Sequence, residues 1–259
     1  TVGQGYLLGG RGVIFGQPQS GAQATEKVSC IALGKADLEK LPVAAREALV
    51  RAAISAQLEG EKSYQAFTVD QQTALLNGLQ EVAVEPGRQV IAAGDLPCLA
   101  VVVSGVATVD GKEVRGGSVI GWQELTTNAN MTSTVVAGNN CRMYMVSSRD
   151  LCTALAKLQG TTKAVTVEEV LRMNEVKAAL VEIFLFKSLG KEQVERVVSE
   201  LTSETYQKDQ LVVKEGDVAE HFYLIQTGNV EIIVDGVVKR SLGKWDYFGE
   251  RGLLFSERR

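Results

Sequence analysis

With 259 residues, 45% hydrophobic and 22% charged, the chain has the composition of a globular protein long enough for two ordinary domains or one large one. Its net charge of −4 argues against binding nucleic acid or a membrane surface through bulk charge, and no apolar run approaches the ~18 residues of a transmembrane segment. Cys30, Cys98, Cys141 and Cys152 form no Cys-x-x-Cys pair and His221 is the single histidine, so neither a zinc site nor a disulfide framework is indicated. Reduced, buried thiols in a cytoplasmic protein are expected.

The opening residues Thr1-Val2-Gly3-Gln4-Gly5 have the character of neither a signal nor a transit peptide and read as a chain entered mid-domain. Residues 1–34 are glycine-rich and then strand-like. Over 36–59, Leu38, Leu41, Ala45, Leu49, Ala52 and Ala53 recur at helical spacing until Gly60. Thr68 with Gln71 reads as a capping box opening a helix through about Gln80. From Val82 to Val146, short Val/Ala/Ile runs are punctuated by Pro86-Gly87, Gly94-Asp95 and Asp110-Gly111, the pattern of hairpins closing into a small sandwich or barrel. A helical stretch from about Ser148 is interrupted at Gly160 and resumes from about Thr162 to Phe186. A helix from Gly190 to Leu201 with Val194, Val197, Val198 and Leu201 on one face follows, and then strands with turns at Gly216-Asp217 and Asp235-Gly236.

The last part of the chain repeats the middle. Phe67, Gln71 and Gly94-Asp95 correspond to Leu189, Gln193 and Gly216-Asp217, each 122 residues later; Gly105 corresponds to Gly228 and Asp110-Gly111 to Asp235-Gly236 at slightly longer offsets. An offset this long indicates tandem domains rather than a solenoid.

The chain ends on Trp245-Asp246-Tyr247-Phe248-Gly249-Glu250-Arg251-Gly252-Leu253-Leu254-Phe255-Ser256-Glu257-Arg258-Arg259. This stretch has the parts needed to hold a small phosphorylated ligand. Gly249 permits positive φ or close backbone approach. Amides from Gly252 onward can face an anion. Glu250 can accept from a sugar hydroxyl, and the Arg259 guanidinium can close on phosphate oxygens. Trp245 reads as core or rim rather than a ligand-stacking residue. The stretch resembles the phosphate-binding cassette of cyclic nucleotide-binding domains, Phe-Gly-Glu-x-Ala-Leu-(x)5-Arg, with Phe248, Gly249, Glu250, Leu253 and Arg259 at the family positions and Gly252 for the alanine. Its wording is most similar to the last cyclic-nucleotide site of apicomplexan cGMP-dependent protein kinases.

The resemblance implies a mainly β protein with helices, tandem cyclic nucleotide-binding β-barrel domains joined by helical segments. The divisions it implies are the C-terminal part of a degenerate domain at 1–60, a complete degenerate domain at 61–160, and at 161–259 a domain with an intact cassette, truncated at its C-terminus. In the middle copy, Ile120-Gly121-Trp122-Gln123-Glu124-Leu125 leads to Met131, so Trp122 replaces the sugar-binding glutamate and Met131 the phosphate-binding arginine. A phosphate desolvated without its cation costs about 2–5 kcal/mol relative to the paired case, which makes this copy ligand-blind. We expect Trp122 to pack into the space a sugar would occupy. In the first copy, Gly10 stands at the glutamate position and Gln19 at the arginine position, and Arg11 rescues the site only if the loop rearranges.

Other signals are weaker. Gly5-(x)4-Gly10 lacks the Lys-Ser/Thr of a P-loop, and no His-Arg-Asp or Asp-Phe-Gly kinase motif is present in these residues. The implied function is therefore regulatory and not enzymatic: sensing of cGMP at the third domain, relayed to a kinase catalytic domain outside this chain, with no nucleic-acid partner and no metal in this segment. A regulatory subunit of a cAMP-dependent kinase and a ligand-free scaffold are the alternatives.

Overall fold

The computed structural model describes residues 9–17, 21–30, 32, 34–218 and 221–251. The chain forms two compact units, Thr1–Asn174 and Glu175–Arg259. In the first, α1 (Gly10–Phe15), α2 (Lys35–Leu38), α3 (Val43–Leu58), α4 (Lys62–Gln65) and α5 (Val69–Gly78) precede the strands. The helix expected over 36–59 is divided because Pro42, with no amide hydrogen and a fixed φ, takes the N-cap of α3 and stops α2 before it. The capping box at the start of α5 forms as expected. The Gln71 amide donates to Thr68 Oγ1 at 3.4 Å, and the Thr68 amide donates to Gln71 Oε1 at 2.9 Å. Asn174 Nδ2 also donates to that oxygen at 2.6 Å, so Gln71 is buried with its acceptor satisfied.

Strands β1 (Gln80–Ala83), β2 (Gln89–Ile91), β3 (Cys98–Ser104), β4 (Val106–Val109), β5 (Lys112–Arg115) and β6 (Val119–Ile120) come next. Helix α6 (Trp122–Thr127), β7 (Val135–Ala137), β8 (Arg142–Ser147) and α7 (Ser148–Leu158) complete the unit, with the first part of α8 (Val167–Glu182). The strands form two four-stranded sheets, ordered β1-β8-β3-β6 and β2-β7-β4-β5. Among the described residues they close no barrel; the arrangement is a sandwich with helices on one outer face. Strand β3 shows why its sequence is continuously apolar. Cys98, Ala100 and Val102 point into the core between the sheets with Ile91, Ala107, Val135 and Met143. Leu99, Val101 and Val103 point the other way, into a core with Ile54, Leu58, Leu75 and Leu155 of the helices. A strand buried on both faces loses the polar alternation of a half-solvated one.

The β4–β5 hairpin turns at Asp110 and Gly111, with φ 47° and 78°, the two positive values of a turn whose twist matches the strands. Helix α7 stops before Gly160, but α8 resumes only at Val167. Its start is a second capping box: the Glu169 amide donates to Thr166 Oγ1 at 3.1 Å and the Thr166 amide donates to Glu169 Oε2 at 2.8 Å.

The second unit contains the end of α8, α9 (Lys191–Glu200), and strands β9 (Tyr223–Leu224), β10 (Val230–Val234), β11 (Val237–Leu242) and β12 (Tyr247–Phe248). Helix α9 buries Val194 and Val198, while Leu201, expected on the same face, lies beyond the helix and is largely exposed. Strands β10 and β11 pair as a hairpin and β12 pairs with β9.

The four cysteines are unpaired; Cys98 and Cys141 are buried and Cys152 half-buried, but Cys30 is exposed, contrary to the expectation of uniformly buried thiols. It lies in the extended stretch 21–30, where no strand or helix forms to cover it. Among the described residues no helix is long and apolar enough to cross a membrane.

Candidate functional site

The internal repeat extends to individual hydrogen bonds. In the first unit the Gly117 amide donates to Val102 O (2.7 Å), the Val102 amide to Ser118 O (3.0 Å) and the Ser118 amide to Arg115 O (3.0 Å). In the second, the Trp245 amide donates to Ile225 O (2.7 Å), the Ile225 amide to Asp246 O (2.9 Å) and the Asp246 amide to Gly243 O (2.9 Å). The helix start recurs as well, since the Gly190 amide donates to Gln193 Oε1 at 2.8 Å as Thr68 does to Gln71.

In these two units the frame brings a strand to a glycine in the left-handed region followed at once by helix, and Gly9 is a left-handed glycine followed by helix as well. Gly121 has φ 77°, Gly249 φ 91° and Gly9 φ 88°. After Gly121 comes α6, which ends at Asn128 with φ 52°; after Gly9 comes α1, also six residues, which ends at Gly16 with φ 65°. The backbone thus repeats the first copy in the register that sets Gly10 against Trp122. At Gly121 a side chain is impossible for a second reason, because a Cβ would lie 2.1 Å from Cys98 O and 2.9 Å from Met131 Cε.

In the middle copy, both positions that would hold a nucleotide are filled by the protein's own core. Met131 is 2% exposed and sits in the core between the sheets, its sulfur 3.9 Å from Cys98 Sγ. Its backbone is closed against the loop before β3, with the Gly94 amide donating to Met131 O (2.7 Å) and the Met131 amide to Asp95 O (2.8 Å). Burial, with Asp95 and Glu124 nearby, pushes the Cys98 thiol up to about 11. Trp122, expected to pack into the space a sugar would occupy, lies in the helix-side core. Its ring meets Tyr64 and Phe67 edge-on at 6.0 and 6.4 Å, and Nε1–H donates to Ser63 Oγ at 2.9 Å. The physical reason is direction: as the first residue of α6 it projects toward α4 and α5, where an indole finds both apolar area and an acceptor. Glu124, the nearby carboxylate, accepts from Thr132 Oγ1, which holds it below the usual glutamate range.

In the third copy, Phe248 is buried and stacks on Tyr223 with centroids 4.9 Å apart and planes 12° apart. That contact, with Ile225 and Leu242, anchors the strand that ends at Gly249. Glu250 and Arg251 are helical, and Glu250 is half-buried at the position Trp122 holds in the first unit. Gly252, Leu253 and Arg259 lie outside the described residues, as does Gln19 of the first copy. The structure therefore brings together Phe248, Gly249 and Glu250 of the sequence-derived site. Arg11 does not turn toward the first cassette; its guanidinium donates to Ala56 O of α3 at 3.0 Å.

Residues 203–259 match the sequence model of the cyclic nucleotide-binding domain family. Among individual relatives, the chain is 22% identical over 277 aligned residues to the cGMP-dependent protein kinase of Toxoplasma gondii, covering 99% of this chain and 27% of that protein. It is 31% identical over 192 residues to the cAMP-dependent protein kinase regulatory subunit of Eremothecium gossypii, covering 71% of this chain and 40% of that one. The chain thus spans well under half the length of these relatives. Among solved structures, the regulatory domain of Toxoplasma gondii PKA with cAMP aligns with a TM-score of 0.35 at 21% identity, covering 81% of this chain and 82% of that one.

Proposed function

We propose that the chain is a regulatory segment of a cGMP-dependent Ser/Thr protein kinase, built of tandem cyclic nucleotide-binding domains. In this reading it senses cGMP at the third cassette and relays occupancy to a catalytic domain in the same polypeptide. The observation that carries the reading is the contrast among three cassettes that share one backbone device. Each has a left-handed glycine followed by helix, yet only the third follows it with a carboxylate, Glu250, and has an arginine ten residues beyond the glycine, Arg259. Phe248 sets the strand end, Gly249 turns the chain and Glu250 accepts from the sugar; Gly252 and Leu253 stand at the family positions whose amides serve the phosphate, and Arg259 neutralises it. The middle copy, with Met131 and Trp122 in its two cores, is a ligand-independent structural relay.

Isothermal titration of the chain with cGMP and with cAMP tests this. One site with preference for cGMP is expected, weakened by about 2–5 kcal/mol in Arg259→Ala. Preference for cAMP would favour the regulatory-subunit alternative, and near-wild-type affinity in Arg259→Ala would remove the third cassette from the reading.

A further inference from the structure

The repeat exposes one position where the two units differ in a costly way. Trp245 occupies the turn that Gly117 holds in the first unit, with the same hydrogen bonds, and both are in the left-handed region, at φ 68° and 89°. Gly117 suits that conformation, with the Gln17 amide lying against it. A tryptophan in the same backbone state is strained, and strain retained at a bulky residue points to use.

What the indole does is visible in its surroundings. With Tyr247 it lines a groove of about 380 Å³ within the second unit, together with Ala178 and Ala179 of α8 and Ile183 just beyond that helix. Glu175 and Glu182 also line it. They are seven residues apart on one helix, about 10 Å along its axis. The protein's own Lys244 shows what this surface accepts: its ammonium lies 5.0 Å from the centre of the Trp245 ring and 3.3 Å from Glu175 Oε2. Glu182 pairs with no cation among the described residues.

We infer that this groove is a docking site for a peptide segment bearing two basic side chains about 10 Å apart, one over Trp245 in place of Lys244 and one on Glu182, with small apolar residues between them against Ala178 and Ala179. The assignment rests on the aromatic wall and the paired carboxylates, and it is independent of any nucleotide at the cassette. A segment in the polyproline II conformation, with three residues per turn and a rise of ~3.1 Å, presents arginines at i and i+3 on one face about 9 Å apart.

The full chain is titrated with fluorescein-labelled Arg-Ala-Leu-Arg-amide and followed by anisotropy, with Glu-Ala-Leu-Glu-amide as control. Saturable binding of the basic peptide alone is expected, weakened about tenfold or more in Glu182→Lys, a change at an exposed position, and in Trp245→Gly. Because glycine accepts the turn, Trp245→Gly should keep its melting temperature while losing the peptide. Binding that is absent up to about 1 mM peptide, or equal in the wild type and both variants, overturns the inference.

Discussion

Met131→Arg restores at the middle cassette the residue type that the third one carries, and the structure says it restores nothing. Met131 is 2% exposed, surrounded by Cys98, Ala100, Val135 and Ala137. The acids within electrostatic reach are already used, Asp95 Oδ2 by the Ala92 amide at 2.7 Å and Glu124 by Thr132. A guanidinium kept inside is a buried charge without a partner, at a cost of several kcal/mol. One swung out to solvent leaves the methionine's cavity behind, at about 2–5 kcal/mol. Both routes converge on about 3–5 kcal/mol, which for a domain of this size lowers the melting temperature by roughly 6–20 °C. Met131→Leu, close in volume, should cost less than about 1.5 kcal/mol. The only tryptophans are Trp122 and Trp245, so in a Trp245→Phe background the emission of Trp122 reports melting of the first unit separately from the second. A Met131→Arg protein that melts within about 2 °C of its parent and also titrates with cGMP would show a solvated, functional pocket where the structure has core.

Three further outcomes follow from the same packing. A double-mutant cycle of Trp122→Phe and Ser63→Ala, read by urea denaturation, should give a coupling of about 0.5–1.5 kcal/mol from the 2.9 Å hydrogen bond; additivity would mean the indole N–H is satisfied otherwise. Arg142, hydrogen-bonded to Glu81 at 2.6 Å, holds that carboxyl below the usual glutamate range. Its contribution is therefore present above the unfolded pKa of about 4.3 and lost as pH falls through the lower folded value. Both side chains are more than a third exposed, so the effect is at most about 1 kcal/mol, and Glu81→Gln should flatten it in acid-side melting curves. Finally, a thiol reagent at pH 8 should modify Cys30 first, while Cys98, whose thiol is pushed up to about 11, and Cys141, also raised by burial, react only on unfolding; simultaneous labelling of all four would contradict the packing.

Much of the fold was legible because local chemistry dictated it. The Thr68/Gln71 cap, the Asp110-Gly111 turn and the helix stop before Gly160 need only their own side chains and backbone freedom, and they form where the residues stand. The repeat was legible because Gln71 and Gln193, or Gly121 and Gly249, do the same backbone work in each copy, and the helical length after Gly9 matches that after Gly121. The Thr166/Glu169 cap is equally local, and it starts α8 at Val167 rather than at Thr162.

The tertiary structure alone decided what depends on direction and on distant partners. Residue types reveal that Trp122 and Met131 bring neither the carboxylate nor the guanidinium found at Glu250 and Arg259, but not that they enter opposite cores. That follows from which face of β3 each one meets. Whether the strands close was likewise beyond alternation of apolar residues, because a sheet's neighbours are set by long-range pairing, and here β7 joins β4 and β2 while β8 joins β3 and β1. The groove beside Trp245 had no sequence signal of its own: Ala178, Ala179 and Tyr247 are ordinary residues until α8 and β12 bring them together. Sequence determined the chemistry available at each cassette; packing determined where each side chain could spend it.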